Sequence, residues 1–154
     1  MGVEVTPGGT TGGKGARGGP VFRAGMRVAT WVHRRQRDRA MGLDLLYLTT
    51  VGARSGEPRT VPLARFDDGE GGWLVIGSMG GSAKHPAWFH NMAAHPDRIW
   101  VEFGNEKHLV TAESLKGAER AQRFAEIAAA HARYADYQAK TDREIPVIRL
   151  TPVN

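Results

Sequence analysis

The chain has 154 residues, which predicts a single domain large enough to bury a core and a partly enclosed ligand pocket. It contains no cysteine, so disulfides, thiolate metal sites, iron–sulfur clusters and cysteine nucleophiles are excluded. Lysine and arginine number 21 against 16 acidic residues, and the net charge of +5 favours anionic partners such as a phosphorylated cofactor, nucleic acid or an acidic membrane surface. No segment has the roughly 20 apolar residues of a membrane-spanning helix, and the N-terminus lacks the apolar core of a secretion signal, so we expect a cytoplasmic protein.

Glycine and threonine dominate residues 1–20, and a segment with so few apolar side chains is expected to remain a flexible arm. Residues 21–154 are expected to form the domain. Its first segment, Val21 to Arg39, has an apolar stripe and several arginines elsewhere, which predicts an amphipathic helix. This helix either packs on the domain with a solvated basic face or makes peripheral contact with a membrane.

Strands outnumber helices in the rest of the chain. Two strands, Leu45 to Thr50 and a second from Thr60 onward, flank a glycine-containing turn, and Trp73 to Ile76 form a third. After these the patterns predict a small-residue loop over Gly77 to Ser82, a helix over Ala87 to Ala94, strands over Ile99 to Phe103 and Lys107 to Ala112, a helix over Gly117 to Ala132, and a last strand over Ile145 to Leu150. This order is typical of an α+β, mainly β fold, an antiparallel barrel with peripheral helices.

The turn between the first two strands has the composition of an anion-binding loop. It contains Arg54, Ser55 and Gly56, and Arg59 follows closely. Small residues allow turn amides to converge on an anion, and guanidinium groups add charge and a fixed fork of donors. This turn therefore suits a phosphate or carboxylate tail. The alternative is an ordinary solvated hairpin with two surface arginines.

The loop after the third strand has the composition of a flat-ligand site. Its glycines allow close approach of the backbone to a ring, and Trp88 and Asn91 on the next helix could add a wall and a polar anchor. The alternatives are a core tryptophan and a surface or capping asparagine.

Two phenols, Tyr134 and Tyr137, share a face if their segment is helical. A phenol can donate a proton to an oxygen that becomes anionic on reduction, although packing of the rings at a helix end is the alternative. His85, His90 and His95 recur at intervals of five, which does not keep ligands on one helical face, so no metal site is expected.

Three segments together, LTTVGARSGEPRTVPL, GSMGGSAKHPAWFHNMAAHP and RYADYQAKTDREIPVIRL, resemble the deazaflavin-dependent nitroreductase family of actinobacteria, whose members use coenzyme F420. The resemblance runs from about Leu45 to the C-terminus. It implies a split β-barrel that passes hydride from reduced F420 to quinones, enone or coumarin-type lactones, nitroaromatics or other electron-poor acceptors.

The resemblance also implies roles for particular residues. Tyr134 and Tyr137 would lie at the substrate mouth, with Tyr134 the first choice and Ser78 the second choice for the group that orients or protonates the substrate. The implied cofactor-binding residues are Arg54, Ser55, Gly56, Arg59 and Lys84 for the tail, and Val61, Pro62, Gly77, Ser78, Trp88 and Asn91 for the ring. The chain departs from the family pattern at Ala53 and Met79, where cations are frequent, and at Ala64 and His131, where nitroimidazole-reducing members have tyrosines.

The expected function is therefore reduction of a small-molecule acceptor by a monomer or homodimer. A flavin-mononucleotide oxidoreductase of the same barrel type and a non-catalytic deazaflavin-binding protein are the alternatives. A nucleic-acid-binding protein is disfavoured, because aromatic residues are not interleaved with the basic residues as a base-stacking surface requires.

Overall fold

The computed structural model describes residues 2–13, 39–40 and 42–153, with the backbone alone for 39–40. The strands are β1 (Arg39–Ala40), β2 (Leu43–Val51), β3 (Pro58–Ala64), β4 (Phe66–Asp67), β5 (Trp73–Ile76), β6 (Trp100–Phe103), β7 (Glu106–Ser114) and β8 (Val147–Pro152). The helices are α1 (Ala87–Ala94), α2 (Gly117–Ala130) and α3 (Arg133–Lys140), and a 3₁₀ turn covers Met79–Gly81.

The described strands form one curled antiparallel sheet. Its order is β1-β2-β6-β7-β8-β5-β4, and β3, which is outside this series, also pairs with β2. The strand β4 follows β3 almost directly and pairs with β5, with Phe66 opposite Leu74. The stretch from Pro58 to Asp67 therefore closes the barrel at one end, whereas its first residues pair only with β2. An open split remains between β3 and the end of β5, and we call it the barrel split.

Two groups of buried side chains hold these elements together. The first fills the barrel beneath α1, and it consists of Leu46, Leu48, Val75, Trp88, Phe89, Met92, Ile99, Val101, Val110, Ile148 and Leu150. The second joins β5 and β8 to α2 and α3, and it consists of Leu74, Ile76, Leu115, Phe124, Ile127, Tyr134, Ile145 and Val147. Because β5 and β8 contribute to both groups, the loop that leaves β5 is held from two sides.

The predicted fold class is confirmed, and most predicted elements lie where the sequence placed them. The strand Trp73–Ile76 and the helix Ala87–Ala94 have the expected bounds. The predicted helix from Gly117 ends at Ala130, and α3 follows as a separate helix. The separation lies at His131 and Ala132, whose region contains no glycine or proline to signal a helix end.

Residues 2–13, the described part of the segment expected to be a flexible arm, lie along the domain in the structure. Gly9 N donates to Ala83 O over 2.8 Å, and Gly13 N donates to Gly81 O over 3.0 Å. The Asp142 carboxylate accepts hydrogen bonds from the backbone of Thr10 and Thr11. These contacts use backbone groups, which a prediction from side-chain composition does not consider.

The predicted amphipathic helix falls outside the described residues except for Arg39, which is in β1. Among the described helices, none has the length and apolar character needed to cross a membrane.

Candidate functional site

The barrel split brings together two segments that the sequence analysis selected separately. Continuing the register of Phe66 opposite Leu74 would set Pro62 opposite Ser78. That pairing does not form in the structure, where β4 ends the ladder with β5. Proline has no N–H to donate, so Pro62 cannot extend a ladder across the gap. Val61 and Pro62 therefore form one edge of the split, and Gly77 and Ser78 form the other.

The loop from Gly77 to Ser82, which we call the ring loop, is a tight turn with unusual backbone angles. Ser78 is right-handed, and Met79, Gly80 and Gly81 all have positive φ, at 44°, 64° and 84°. Successive right-handed and left-handed residues turn neighbouring N–H groups toward one point, which makes a concave site for an anion or a lone pair. Among the described residues, none accepts a hydrogen bond from the amides of Ser78 and Met79.

The turn from Gly52 to Glu57, which we call the tail turn, uses the amides of Gly52, Gly56 and Glu57 internally. Gly52 N donates to Glu57 O over 2.8 Å, and Gly56 N donates to Gly52 O over 2.9 Å. The hydroxyl of Ser55 accepts from Glu57 N over 3.2 Å. The side chains of Arg54 and Arg59 are exposed, so an anion at this turn would meet both cations.

Asn91 holds the tail turn in place from below. Its side chain is 6% exposed, its Oδ1 accepts from Ala53 N over 2.9 Å, and its Nδ2 donates to Thr50 Oγ1 over 3.1 Å. Trp88, one turn earlier on α1, is 7% exposed and packs in the barrel core. Trp88 thus packs in the core and Asn91 bonds the tail turn, and their predicted contact with the ring stays a prediction.

Asn91→Ala is expected to lower the free energy of unfolding by about 1 to 3 kcal/mol, because it leaves the buried Thr50 hydroxyl and the partly buried Ala53 amide without their partner. The tail turn should also become more mobile. Urea unfolding measures the first effect, and hydrogen exchange at Ala53 measures the second. His90→Ala, an exposed position on the same helix, is the control. Equal effects of the two variants would contradict the assigned role of Asn91.

The two tyrosines have different surroundings. Tyr134 is 6% exposed, and its ring makes edge contacts with Phe66 at 5.6 Å and with Tyr137 at 5.8 Å. Burial raises the pKa of Tyr134 to about 12, so its phenol stays protonated at neutral pH. Tyr137 is half-buried, and its backbone lies directly against the ring loop, because a Cβ on Gly81 would come within 2.8 Å of Tyr137 O.

Two residues beside the ring loop had no role in the sequence analysis. Arg143 is 2% exposed and donates to the carbonyls of Gly77, Ser78 and Ser82. His85 is buried, and its Nε2 lies 2.9 Å from Thr6 O in the N-terminal segment. Lys84, a predicted tail ligand, directly precedes His85 and is exposed. The only sequence signal for Arg143 was a charged residue just before an apolar strand.

Two cavities among the described residues lie beyond the far end of β3, around Arg65. Each has a volume of about 360 Å³, and both are bordered by Asp44, Arg65 and Asp67. One of them also reaches Phe66 and His131, whose rings are 5.6 Å apart. Phe66 also makes an edge contact with the ring of Tyr134, so this cavity lies near the tyrosine pair.

The chain is similar to known proteins over most of its length. Residues 25–152 match the model of the F420H(2)-dependent quinone reductase family. An F420H(2)-dependent quinone reductase of Mycobacterium tuberculosis is 36% identical over 109 residues, which are 69% of this chain and 72% of that protein. The chain belongs to this family.

Solved structures agree with that assignment. One described as an F420-H2 dependent reductase, FDR-A, is 39% identical with a TM-score of 0.60, and the match covers 69% of this chain and 92% of that one. Another, described as a domain-swapped dimer, is 34% identical with a TM-score of 0.61, covering 86% and 99%. Membership in the F420H(2)-dependent quinone reductase family confirms the predicted split barrel, the predicted oxidoreductase class and reduced F420 as the cofactor.

Proposed function

We propose that this member of the family reduces a quinone, with the cofactor ring in the barrel split and the cofactor tail along the tail turn. The observation that most supports this placement is the pair of amides at Ser78 and Met79, which have no acceptor among the described residues. Pro62, on the opposite edge of the split, has no N–H and cannot donate a hydrogen bond of its own.

The residues present fit the cofactor. A flat heterocycle needs donors for its polar atoms and close approach of the backbone, and the ring loop has both. An anionic tail needs exposed cations, and Arg54, Arg59 and Lys84 are all exposed. Ser55 and Gly56 act in this proposal by shaping the tail turn. Trp88 and Asn91 support the site from the core, and Gly77 begins the ring loop.

Reduced F420 supplies the hydride. A quinone that accepts a hydride needs one proton to become a hydroquinone. We assign the donation of that proton to the phenol of Tyr137, because this residue lies beside the ring loop in α3. The phenol then recovers a proton from water. Tyr134 is better suited to hold Tyr137 through the edge contact of their rings. Ser78 contributes its amide, and its hydroxyl is the alternative donor.

Tyr137→Phe is expected to lower kcat for quinone reduction by about 100-fold, the usual size of the loss of a positioned proton donor. Tyr134→Phe is expected to lower kcat less, because that phenol is buried and only supports its neighbour. Steady-state kinetics with reduced F420 and a soluble naphthoquinone compare the two variants. A larger loss for Tyr134→Phe would reverse the assignment.

The proposed function is tested by mixing the purified protein with reduced F420 and a naphthoquinone, and by following the return of the absorbance of oxidised F420. Turnover well above that of the protein-free mixture is expected. Reduced flavin mononucleotide and NADPH serve as comparison donors. Turnover with flavin mononucleotide alone would favour the flavin enzyme, and tight F420 binding without turnover of quinone, lactone or nitroaromatic acceptors would favour a carrier.

For the assembly, we propose a homodimer, which the similarity to a structure described as a domain-swapped dimer supports. Light scattering after size-exclusion chromatography is expected to report twice the mass of one chain. Membrane contact through residues 21–39 stays a prediction from the sequence, as does a cytoplasmic location.

A further inference from the structure

Arg143 is a buried guanidinium in the segment between α3 and β8. Its Nε donates to Ser82 O over 2.7 Å, its Nη1 to Gly77 O over 3.0 Å, and its Nη2 to Ser78 O over 2.8 Å. A single side chain thus holds both ends of the ring loop. Arginine suits this task because its planar fork presents donors in fixed directions, whereas lysine has one flexible point charge.

The acceptors around Arg143 are unusual for a buried cation. In the described part of the chain its partners are backbone carbonyls and a histidine, and no carboxylate forms an ion pair with it. Burial lowers the pKa of Arg143, although arginine remains charged in proteins. Burying a charge without an opposite charge is costly, so packing alone does not account for this residue.

His85 is a further partner of the Arg143 guanidinium. Arg143 Nη1 lies 3.2 Å from His85 Nδ1, and because a guanidinium can only donate, Nδ1 is the acceptor. The ring proton is therefore on Nε2, which donates to Thr6 O over 2.9 Å. In this way residues 2–13, His85 and Arg143 form one hydrogen-bonded series that ends at the ring loop.

The carbonyls that Arg143 binds determine where the loop amides point. The peptide bonds are trans, so each carbonyl and the N–H of the next residue point in opposite directions. When the carbonyls of Gly77 and Ser78 face Arg143, the amides of Ser78 and Met79 face the other way. Since β8 lies on the Arg143 side of β5, this other side is the barrel split.

We propose that Arg143 is a positioning residue, which turns the ring-loop carbonyls inward so that the Ser78 and Met79 amides meet the polar edge of the cofactor ring. This inference rests on the proposed function for the identity of the ring. It adds a residue that touches neither cofactor nor acceptor and acts through the backbone.

The first experiment uses the unaltered protein labelled with ¹⁵N and titrated with oxidised F420, with binding followed in parallel by cofactor fluorescence. The amides of Ser78 and Met79 are expected to show some of the largest chemical-shift changes. Binding without any change at these two amides would overturn the role of Arg143. Absence of binding in the fluorescence titration would instead overturn the proposed function itself.

The second experiment compares Arg143→Lys with Arg123→Lys. Arg123 is a matched control because its guanidinium also donates to a backbone carbonyl, that of Asp68, in the turn between β4 and β5. Both variants are expected to melt at lower temperature. Arg143→Lys alone should move the Ser78 and Met79 resonances in the cofactor-free protein, weaken F420 binding about tenfold, and lower kcat with little change in the KM of the quinone. Unmoved resonances and unweakened binding in a folded Arg143→Lys protein would refute the proposal.

Discussion

Gly81→Ala is expected to destabilise the protein by roughly 2 to 5 kcal/mol and to lower quinone reduction more than any other single change in the ring loop. Gly81 has a φ of +84°, which costs a residue with a Cβ roughly 1 to 2 kcal/mol. The added methyl would also stand 2.8 Å from Tyr137 O and 3.1 Å from Lys140 Cβ. Since one of these atoms is helix backbone, α3 must move away from the ring loop.

The adjacent glycine separates the two causes. Gly80 also has positive φ, 64°, but a Cβ there would meet nothing within 4 Å. Gly80→Ala should therefore cost only the backbone strain, roughly 1 to 2 kcal/mol. Urea unfolding gives both free energies, and turnover with reduced F420 gives the effect of moving Tyr137. Equal losses of stability in the two variants would mean that the close contact between α3 and the loop is unimportant.

The sequence predicted those strands and helices whose formation depends on neighbouring residues. Alternation and turn residues located Trp73–Ile76, and Pro86 with the apolar spacing after it located Ala87–Ala94. Local signals were weaker between α2 and α3, where the helix break at His131 depends on packing of Tyr134 into the second core. The short strand β4 was also missed, because two residues carry no periodicity.

Sequence patterns selected the segments of the candidate site, but they could not give the directions of its side chains. The tail turn was selected from small residues beside arginines, and the ring loop from its small residues. Asn91, in contrast, meets the tail turn across 38 residues, and Arg143 meets the ring loop across 61 to 66 residues. No local pattern indicates which polar side chain will serve a distant backbone. Both residues hold a backbone segment far away in sequence, a contact that only the tertiary structure shows.

The replacement of both Arg54 and Arg59 by alanine is expected to weaken F420 binding by about 10- to 100-fold, which corresponds to the loss of one or two charge-assisted hydrogen bonds. Both arginines are exposed, and they are the charged side chains that bring positive charge to the tail turn. Exposed charges are screened by salt. A fluorescence titration gives the dissociation constants of F420 for the double variant and for the unaltered protein. Their ratio should therefore shrink as the salt concentration is raised.

Lys107→Glu is the matched control for this double variant, because each change lowers the net charge from +5 by two, to +3. Lys107 is exposed near the start of β7 and lies opposite Glu102 of β6. Glu102 in turn lies opposite Tyr47 of β2, which is several residues before the tail turn. Lys107 is therefore well separated from the tail turn. If attraction of the cofactor depended on overall charge, the two proteins would lose affinity equally. A local contact predicts that Lys107→Glu stays within about twofold of the unaltered protein. Equal losses would remove Arg54 and Arg59 from the binding site and leave only a general electrostatic effect.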